Sequence, residues 1–227
     1  MKALLLDLDG TLCQMDRDLF EKTYFKDLAL YMKDILDPQQ FLAQLIRSVA
    51  FMVEHPSMQY TCMEVFCRHF ASMFGLDEKL FHDRLLSFYT NEFGKYDYLV
   101  QPIERGKELI ALGREKGLKM AVASNSIMPQ IAIIHRLHWA GLETSSFEFI
   151  SGGDFMHYTK PHAGFYREIA SALDVVPEDC LMVGNGKEED LVAHDIGMAT
   201  FFMDGEKDEK ATWFGNIDDL IAVVSSL

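Results

Sequence analysis

The sequence predicts an α/β protein in which a parallel sheet carries helices on both faces and a helical segment is inserted after the first strand. Three observations support this fold class. An apolar run from residue 3 to residue 8 ends at acidic residues and Gly10, apolar residues then recur at helical spacing to about residue 97, and strand-like and helix-like segments alternate after Pro102. With 227 residues, the chain is long enough for one large domain or for a domain with an inserted module.

The inserted segment, from residue 16 to residue 97, has a helical apolar period. Breaks at Asp37-Pro38, His55-Pro56 and Gly75 divide it into four helices. Each helix carries an apolar stripe on one face, and we expect these stripes to form the core of a small bundle. The stripes are Leu28, Met32, Ile35 and Leu36; Phe41, Leu45, Val49 and Met52; Phe66, Phe70, Met73 and Phe74; and Phe81, Leu85 and Phe88.

The segment after Pro102 alternates between the two kinds of secondary structure. Strands are predicted at residues 118–123, 147–150, 180–183 and 198–202, and helices at 103–116, 127–139, 162–173, 188–196 and 217–224. Such alternation is typical of right-handed crossovers that build a parallel sheet. Ligands of these sheets bind at the carboxyl ends of the strands, so the residues that follow each strand are candidate ligand-binding residues.

Composition excludes several functions. Hydrophobic residues make up 49% and charged residues 25%, which is ordinary globular composition, and the net charge is −14. A chain this acidic is a poor binder of nucleic acid or of anionic lipid, so we expect neither as a partner. No stretch reaches the ~18 apolar residues of a membrane span, and no secretory leader is evident. We expect a cytoplasmic protein, a monomer or weak homodimer, with four reduced cysteines.

Two carboxylates directly follow the first strand. Asp7 and Asp9 are two residues apart, so at a strand end their side chains point to the same side. One is able to act as a nucleophile while the other acts as a general acid and base. Gly10 permits the tight turn that brings both side chains to one reacting centre. An acidic turn that caps a helix is the simpler alternative.

Three further polar segments follow later strands. The turn 124–126 offers hydroxyls and backbone N–H groups that suit a phosphate oxygen, although an ordinary helix cap has the same composition. Lys160 is able to place an ammonium beside crowded anions, or to lie in solvent. The carboxylates after Asn185, among them Asp190, suit a hard cation such as Mg²⁺. Acidic residues also favour the first turn of a helix for electrostatic reasons.

The order of these segments is more specific than any one of them, and it resembles the haloacid dehalogenase superfamily of aspartate-nucleophile phosphatases. The matching positions are Asp7-Leu8-Asp9-Gly10-Thr11 for the first motif, Ser124 for the second, Lys160 for the third and Asn185 to Asp190 for the fourth. The resemblance implies a Rossmann-like core formed by residues 1–15 and 98–227. It also implies that residues 16–97 form a helical cap.

The resemblance also implies a role for each matching residue. Asp7 would attack phosphorus, Asp9 would protonate the leaving alcohol and activate water, and Lys160 would offset the repulsion between Asp7 and the substrate. The implied phosphate-binding residues are Ser124, Asn125, Lys160 and Thr11. The implied Mg²⁺ ligands are Asp7, Asp9, Asn185 and Asp190, with Asp9 contributing its backbone carbonyl.

One position departs from the family pattern. The fourth motif usually places a metal-binding aspartate where this chain has Asn185, and a neutral amide predicts weaker metal affinity. The leading hypothesis is a Mg²⁺-dependent phosphatase acting on a small phosphorylated metabolite. A metal-independent 2-haloacid dehalogenase, a phosphoglucomutase-like phosphotransferase and a catalytically weakened metabolite-binding protein stay open. Arg17, Arg47 and His55 are candidate specificity residues in the cap.

Overall fold

The computed structural model describes all 227 residues, and it confirms the predicted fold class. Six parallel strands form one sheet in the order β5-β4-β1-β6-β7-β8. Helices lie against the sheet, and a helical segment is inserted between the first strand and the rest of it. The sheet strands are β1 (Ala3–Leu6), β4 (Lys119–Val122), β5 (Phe149–Ile150), β6 (Cys180–Gly184), β7 (Ala199–Met203) and β8 (Trp213–Gly215).

Two short strands outside the main sheet mark the insertion. Strand β2 (Cys13–Met15) pairs antiparallel with β3 (Val100–Pro102), so the chain leaves and re-enters the sheet-bearing part at one place. Neither strand was predicted, because three residues are too few to show an alternating pattern. This ribbon brings the two ends of the helical insertion side by side.

The four predicted helices of the insertion are confirmed. They are α1 (Arg17–Tyr31), α2 (Pro38–Glu54), α3 (Cys62–Phe74) and α4 (Glu78–Asn91), followed by a 3₁₀ helix at Phe93–Leu99. Their starts follow capping chemistry: the side chains of Asp16, Asp37, Thr61 and Asp77 each accept a backbone N–H of the first turn. Helix α1 ends at Tyr31, so Ile35 and Leu36 of the predicted first stripe lie beyond it.

The remaining helices lie between the sheet strands in sequence, except the last, which follows the final strand. They are α5 (Gly106–Glu115), α6 (Gln130–Trp139), α7 (Ala163–Ala172) and α8 (Ile217–Ser226), with short 3₁₀ helices at Thr144–Ser146, Pro177–Asp179 and Leu191–Ile196. The α-helix predicted at 188–196 is therefore wrong in type and start. Asp190 accepts from the Gly186 N–H, and this local turn takes the place of the first helical turn.

Three apolar clusters hold the molecule together. Strand β1 contributes Leu4 and Leu6 to one cluster and Leu5 to another, so it is buried on both faces as a central parallel strand requires. The third cluster lies in the insertion, where Phe70 and Phe81 stack with ring centroids 4.4 Å apart. The four cysteines are unpaired, and none of the helices is both long and apolar enough to cross a membrane.

Candidate active site

Residues at the carboxyl ends of three neighbouring strands form the candidate site. Strands β4, β1 and β6 are neighbours in the sheet, and all three run in the same direction. Asp7 follows β1, Ser124 lies just after β4, and Asn185 follows β6, so these residues meet at one edge. The Asp7 N–H donates to the Val183 carbonyl at 2.9 Å, which extends the sheet pairing up to the carboxylate itself.

A single cavity of about 1380 Å³ contains most of the predicted site residues. The structure brings together residues from all four sequence motifs, and it adds Arg17 from the helical insertion. The predicted residues that line this cavity are Asp7, Asp9, Arg17, Ser124, Asn125, Lys160, Asn185 and Asp190.

Lys160 is the buried centre of this site. Its side chain is 1% exposed, and its ammonium donates to Asp7 Oδ1 at 2.7 Å and to Asp190 Oδ1 at 2.5 Å. Burial alone would lower the pKa of Lys160, but Asp190 and Asp7 outweigh burial and raise it. The ammonium therefore stays charged and holds the Asp7 carboxylate in place.

Asp190 supports Lys160 instead of offering a free metal ligand. Its Oδ1 accepts from Lys160 and its Oδ2 accepts from the Gly186 N–H at 2.8 Å, so both oxygens are engaged. Burial raises the pKa of Asp190 to about 6, while Lys160 acts in the opposite direction. A side chain at Gly184 would place its Cβ 2.1 Å from Asp190 Oδ2, so glycine makes room for this carboxylate. This geometry differs from the metal-ligand role expected for Asp190.

Asp9 pairs with a cation that the sequence analysis missed. Arg136 Nη2 forms an ion pair with Asp9 Oδ2, and the Cys13 thiol donates to Asp9 Oδ1 at 3.6 Å. Arg136 is 5% exposed and lines the cavity, and its Nε has no hydrogen-bond partner. Burial lowers the pKa of Arg136 to about 10, and Asp7 opposes this shift.

The sequence did contain a signal for Arg136. Helix α6 buries Ala132, Ile133, Arg136 and Leu137, so a charged residue lies on the apolar face of an amphipathic helix. A buried charge needs a partner of opposite sign. The pattern indicates a functional or structural ion pair, but it does not indicate which carboxylate completes it.

Asn185 lies against the turn that follows the first strand. Gly10 has a φ of +73°, and a Cβ at this position would lie 2.0 Å from Asn185 Nδ2. Only a residue without a side chain allows the amide to approach the turn this closely. Asn185 is therefore within reach of the same reacting centre as Asp7, although as an exposed and neutral side chain.

The donor set fits Mg²⁺ held by few protein ligands. The structure contains no group of three His, Cys, Asp or Glu side chains able to hold a metal ion. However, Asp7 Oδ2 has no hydrogen-bond partner, and the Asn185 amide supplies a second hard oxygen. Mg²⁺ is commonly bound by one or two carboxylates together with waters and substrate phosphate, so these two residues suffice to start a site.

The expected phosphate-binding residues separate into two groups. Ser124 and Asn125 line the cavity, and the Asn125 side-chain oxygen accepts from the Lys160 N–H at 3.2 Å. Thr11 is fully buried, its hydroxyl has no partner, and it does not line the cavity. The structure therefore does not bring Thr11 to the position of a direct phosphate ligand.

The expected specificity residues also separate. Arg17 lines the cavity, where its Nε donates to Glu21 Oε1 at 2.8 Å. Arg47 is exposed and does not line the cavity. His55 follows α2, stacks on Phe51 and hydrogen-bonds to the Phe51 carbonyl at 2.9 Å, away from the cavity lining. Of these three side chains, the structure brings only Arg17 to the site.

Comparison with known proteins decides the family. The family model described as haloacid dehalogenase-like hydrolase matches residues 1–194. The chain belongs to this family of hydrolases. It is also 31% identical over 121 residues to a phosphoglycolate phosphatase from Colwellia psychrerythraea, a match that covers 52% of this chain and 51% of the relative. The matched region thus spans about half the length of that curated relative.

Solved structures show the same fold. A HAD phosphatase from Thermococcus onnurineus aligns with a TM-score of 0.65 and 17% identity, covering 99% of this chain and 98% of that one. A putative beta-phosphoglucomutase from Thermotoga maritima aligns over the whole of both chains with a TM-score of 0.59 and 17% identity. An L-2-haloacid dehalogenase from Xanthobacter autotrophicus aligns with a TM-score of 0.51 and 19% identity, and the alignment covers 92% of this chain and 80% of that one. The fold is therefore shared by proteins named for different reactions.

We predict that Asp190→Ala destabilises the protein by about 3 kcal/mol, because removing one partner of a buried ion pair leaves a buried charge without its compensation. Asp83→Ala is the matched control, since Asp83 pairs with Lys79 on the solvent-exposed face of α4 and exposed pairs contribute little. Urea unfolding of both variants measures the difference. Equal midpoints for the two variants would show that Asp190 does not anchor Lys160.

Proposed function

We propose that this hydrolase is a phosphatase that cleaves a small-molecule phosphate monoester. The observation that carries the proposal is the presence of two carboxylates on one cavity, each paired with its own buried cation: Asp7 with Lys160 and Asp9 with Arg136. A nucleophile alone is sufficient for displacement of a halide. A departing alkoxide also needs a proton, and a second, separately positioned carboxylate supplies it.

Each residue has a defined part in the proposed reaction. Asp7 attacks phosphorus, and the bond from phosphorus to the alcohol oxygen breaks. Asp9, which enters this step in its protonated form, gives its proton to the leaving alkoxide. Asp9 then takes a proton from water, whose oxygen attacks phosphorus and frees both phosphate and Asp7. Lys160, Ser124 and Asn125 hold the phosphoryl oxygens at the strand ends, where fixed dipoles and charge stabilise the transition state.

We also propose Mg²⁺ as the cofactor. Asp7 and Asn185 would hold the ion, with the Asp9 backbone carbonyl as a third oxygen. When bound, Mg²⁺ supplies positive charge that polarises the phosphoryl group. Asp190 has no part in this ligand set, because Lys160 and Gly186 occupy its oxygens.

Division into a core and a cap supports this function. We propose that residues 1–15 and 98–227 form the catalytic core and that residues 16–97 form a cap that closes over it. The β2–β3 ribbon joins the two parts at a single place, and the cavity between them is lined from both sides. Closure would exclude water during attack by Asp7, and opening would release the alcohol.

A second candidate function is hydrolytic dehalogenation, and Asn185 is the observation that favours it. Displacement of a halide from carbon requires no metal, so a neutral residue at this position is compatible with it. Chloride release from 2-haloacids tests this candidate directly. The phosphoglucomutase-like transfer uses the same two aspartates, and nothing in the cavity favours it over hydrolysis.

We predict that Asp7→Asn abolishes hydrolysis of p-nitrophenyl phosphate, because the amide is a poor nucleophile toward phosphorus. The fold should persist, because the amide has the same size as the carboxylate, its oxygen still accepts from the Lys160 ammonium, and Asp190 keeps its ion pair with that ammonium. Phosphate release is measured with and without Mg²⁺, and far-UV circular dichroism reports folding. Asp83→Asn, on the exposed face of α4, is the control that should keep full activity. Activity of Asp7→Asn above a few per cent would remove Asp7 from the nucleophile's role.

We predict that Asn185→Asp lowers the Mg²⁺ concentration for half-maximal activity by about tenfold, which corresponds to ~1.4 kcal/mol. A charged oxygen binds a hard cation better than a neutral one, and dehydration of both partners offsets much of the Coulomb gain. The measurement is activity against Mg²⁺ concentration for the wild type and the variant. If the Mg²⁺ concentration for half-maximal activity is the same in both proteins, Asn185 lies outside the metal site.

We predict that Arg136 acts through Asp9. If so, Asp9→Asn lowers kcat by ~10²–10⁴-fold, the usual range for general acid–base catalysis, and Arg136→Met lowers it substantially as well. The double variant should be no slower than Asp9→Asn alone, because the two residues form one unit. Arg136→Lys should recover part of the kcat lost in Arg136→Met. Fully additive losses in the double variant would show that Arg136 acts independently of Asp9.

A further inference from the structure

The cavity at the candidate site has two chemically different ends. The core end presents the charged residues already described. The cap end is formed by apolar and aromatic side chains from all four cap helices, α1 to α4, which include Phe20, Phe25, Leu45, Val49, Phe66 and Leu85. Pockets with apolar walls and a few convergent polar groups at one end are typical of small-molecule sites.

Polar groups are few among the cap residues that line the cavity. Tyr24 and Tyr89 line the cavity, and their hydroxyls hydrogen-bond to each other at 3.0 Å. Arg17 is the only cationic cap residue in the lining, and its Nε donates to Glu21 in an exposed ion pair. Asp16 and Glu21 make the cap's contribution to the cavity net negative. A second anionic group on the substrate would meet repulsion from this net negative charge.

The volume favours a large organic group. At about 1380 Å³, the cavity exceeds what a phosphate group and a two-carbon acid would fill. The apolar walls are continuous with the catalytic carboxylates, because Phe20 and Val49 line the same space as Asp7 and Lys160. An apolar group attached to a phosphate at Asp7 would therefore extend directly into the cap.

We propose that the substrate is the phosphate monoester of a bulky apolar alcohol, with the hydrocarbon part bound between the cap helices. This inference rests on the proposed phosphatase function and specifies its substrate class. The bonds made and broken are those of the proposed phosphatase reaction. The phosphorus–oxygen bond to the alcohol breaks, Asp7 takes the phosphoryl group, and the alcohol leaves with the proton from Asp9. Release of water from the apolar walls provides the affinity.

Alkyl phosphates test the substrate class without a change in leaving-group chemistry. Ethyl phosphate and octyl phosphate release alcohols of similar acidity, so the ratio of their kcat/KM values reports contacts with the alkyl chain. We expect octyl phosphate to be favoured by at least ~100-fold, since added methylenes in an apolar pocket each raise kcat/KM. Phosphoglycolate should be a poorer substrate than octyl phosphate, because the cap residues that line the cavity carry a net negative charge and their one cation, Arg17, is paired with Glu21.

A substitution in the cap tests where the alkyl chain of the substrate binds. Val49 is half-buried and lines the cavity, so Val49→Asp places a charge against the alkyl chain and should lower the octyl-to-ethyl ratio by about tenfold. Leu80→Asp is the control, because Leu80 is a 63% exposed cap residue outside the cavity lining. Circular dichroism confirms that both variants fold.

The outcomes separate the two levels of the proposal. No phosphate release from any ester would overturn the phosphatase function itself. Release from ethyl phosphate or phosphoglycolate at least as fast as from octyl phosphate would leave the phosphatase function standing and overturn the substrate class. A strong octyl preference that Val49→Asp does not reduce would overturn the placement of the hydrocarbon in this cavity.

Discussion

The buried ammonium of Lys160 is the constraint on which the candidate site depends. An ion that is removed from water loses several kcal/mol of solvation, so it persists only where opposite charges surround it closely. Asp7 meets this requirement from the end of β1, and Asp190 meets it from the turn that follows β6. Gly184 leaves the space that Asp190 occupies, and Gly186 donates to its second oxygen. The fixed position of Asp7, which the proposed chemistry requires, follows from the need to compensate Lys160.

The same constraint explains the proposed cofactor. Before Asp9 takes up the proton that it donates, three carboxylates, Asp7, Asp9 and Asp190, face two cations, Lys160 and Arg136, so the resting site has one negative charge in excess. A phosphate dianion entering this site meets repulsion from the carboxylates unless further positive charge is present. Arg136 is already included in this balance and is engaged by Asp9, so it does not supply that charge. This balance is the electrostatic reason for proposing Mg²⁺ at Asp7 and Asn185.

The sequence predicted the residues at strand ends well and the residues on helix faces poorly. Asp7, Ser124, Lys160 and Asn185 were expected to meet because parallel strands present their carboxyl ends at one edge, and the structure places them on one cavity. Arg136 was missed because its partner lies on a distant strand.

The sequence pattern also did not predict features that depend on packing between secondary-structure elements. Arg47 and His55 were proposed from their place in the helical segment, but bundle packing turns both away from the cavity. The β2–β3 ribbon and β8 were missed because three-residue strands show no period. A local bond from Gly186 to Asp190 gave a turn where charge patterning predicted the start of an α-helix.

The central claim is that Asp7 becomes phosphorylated during turnover, and chemical trapping tests it most directly. The enzyme is quenched with acid during steady hydrolysis of a phosphate ester and then reduced with borohydride, which converts an aspartyl-phosphate into homoserine. Mass spectrometry of the N-terminal peptide identifies the converted residue. We expect homoserine at position 7 and unmodified aspartate at position 9. Rapid hydrolysis with Asp7 unmodified, or conversion at Asp9 instead, would contradict this claim.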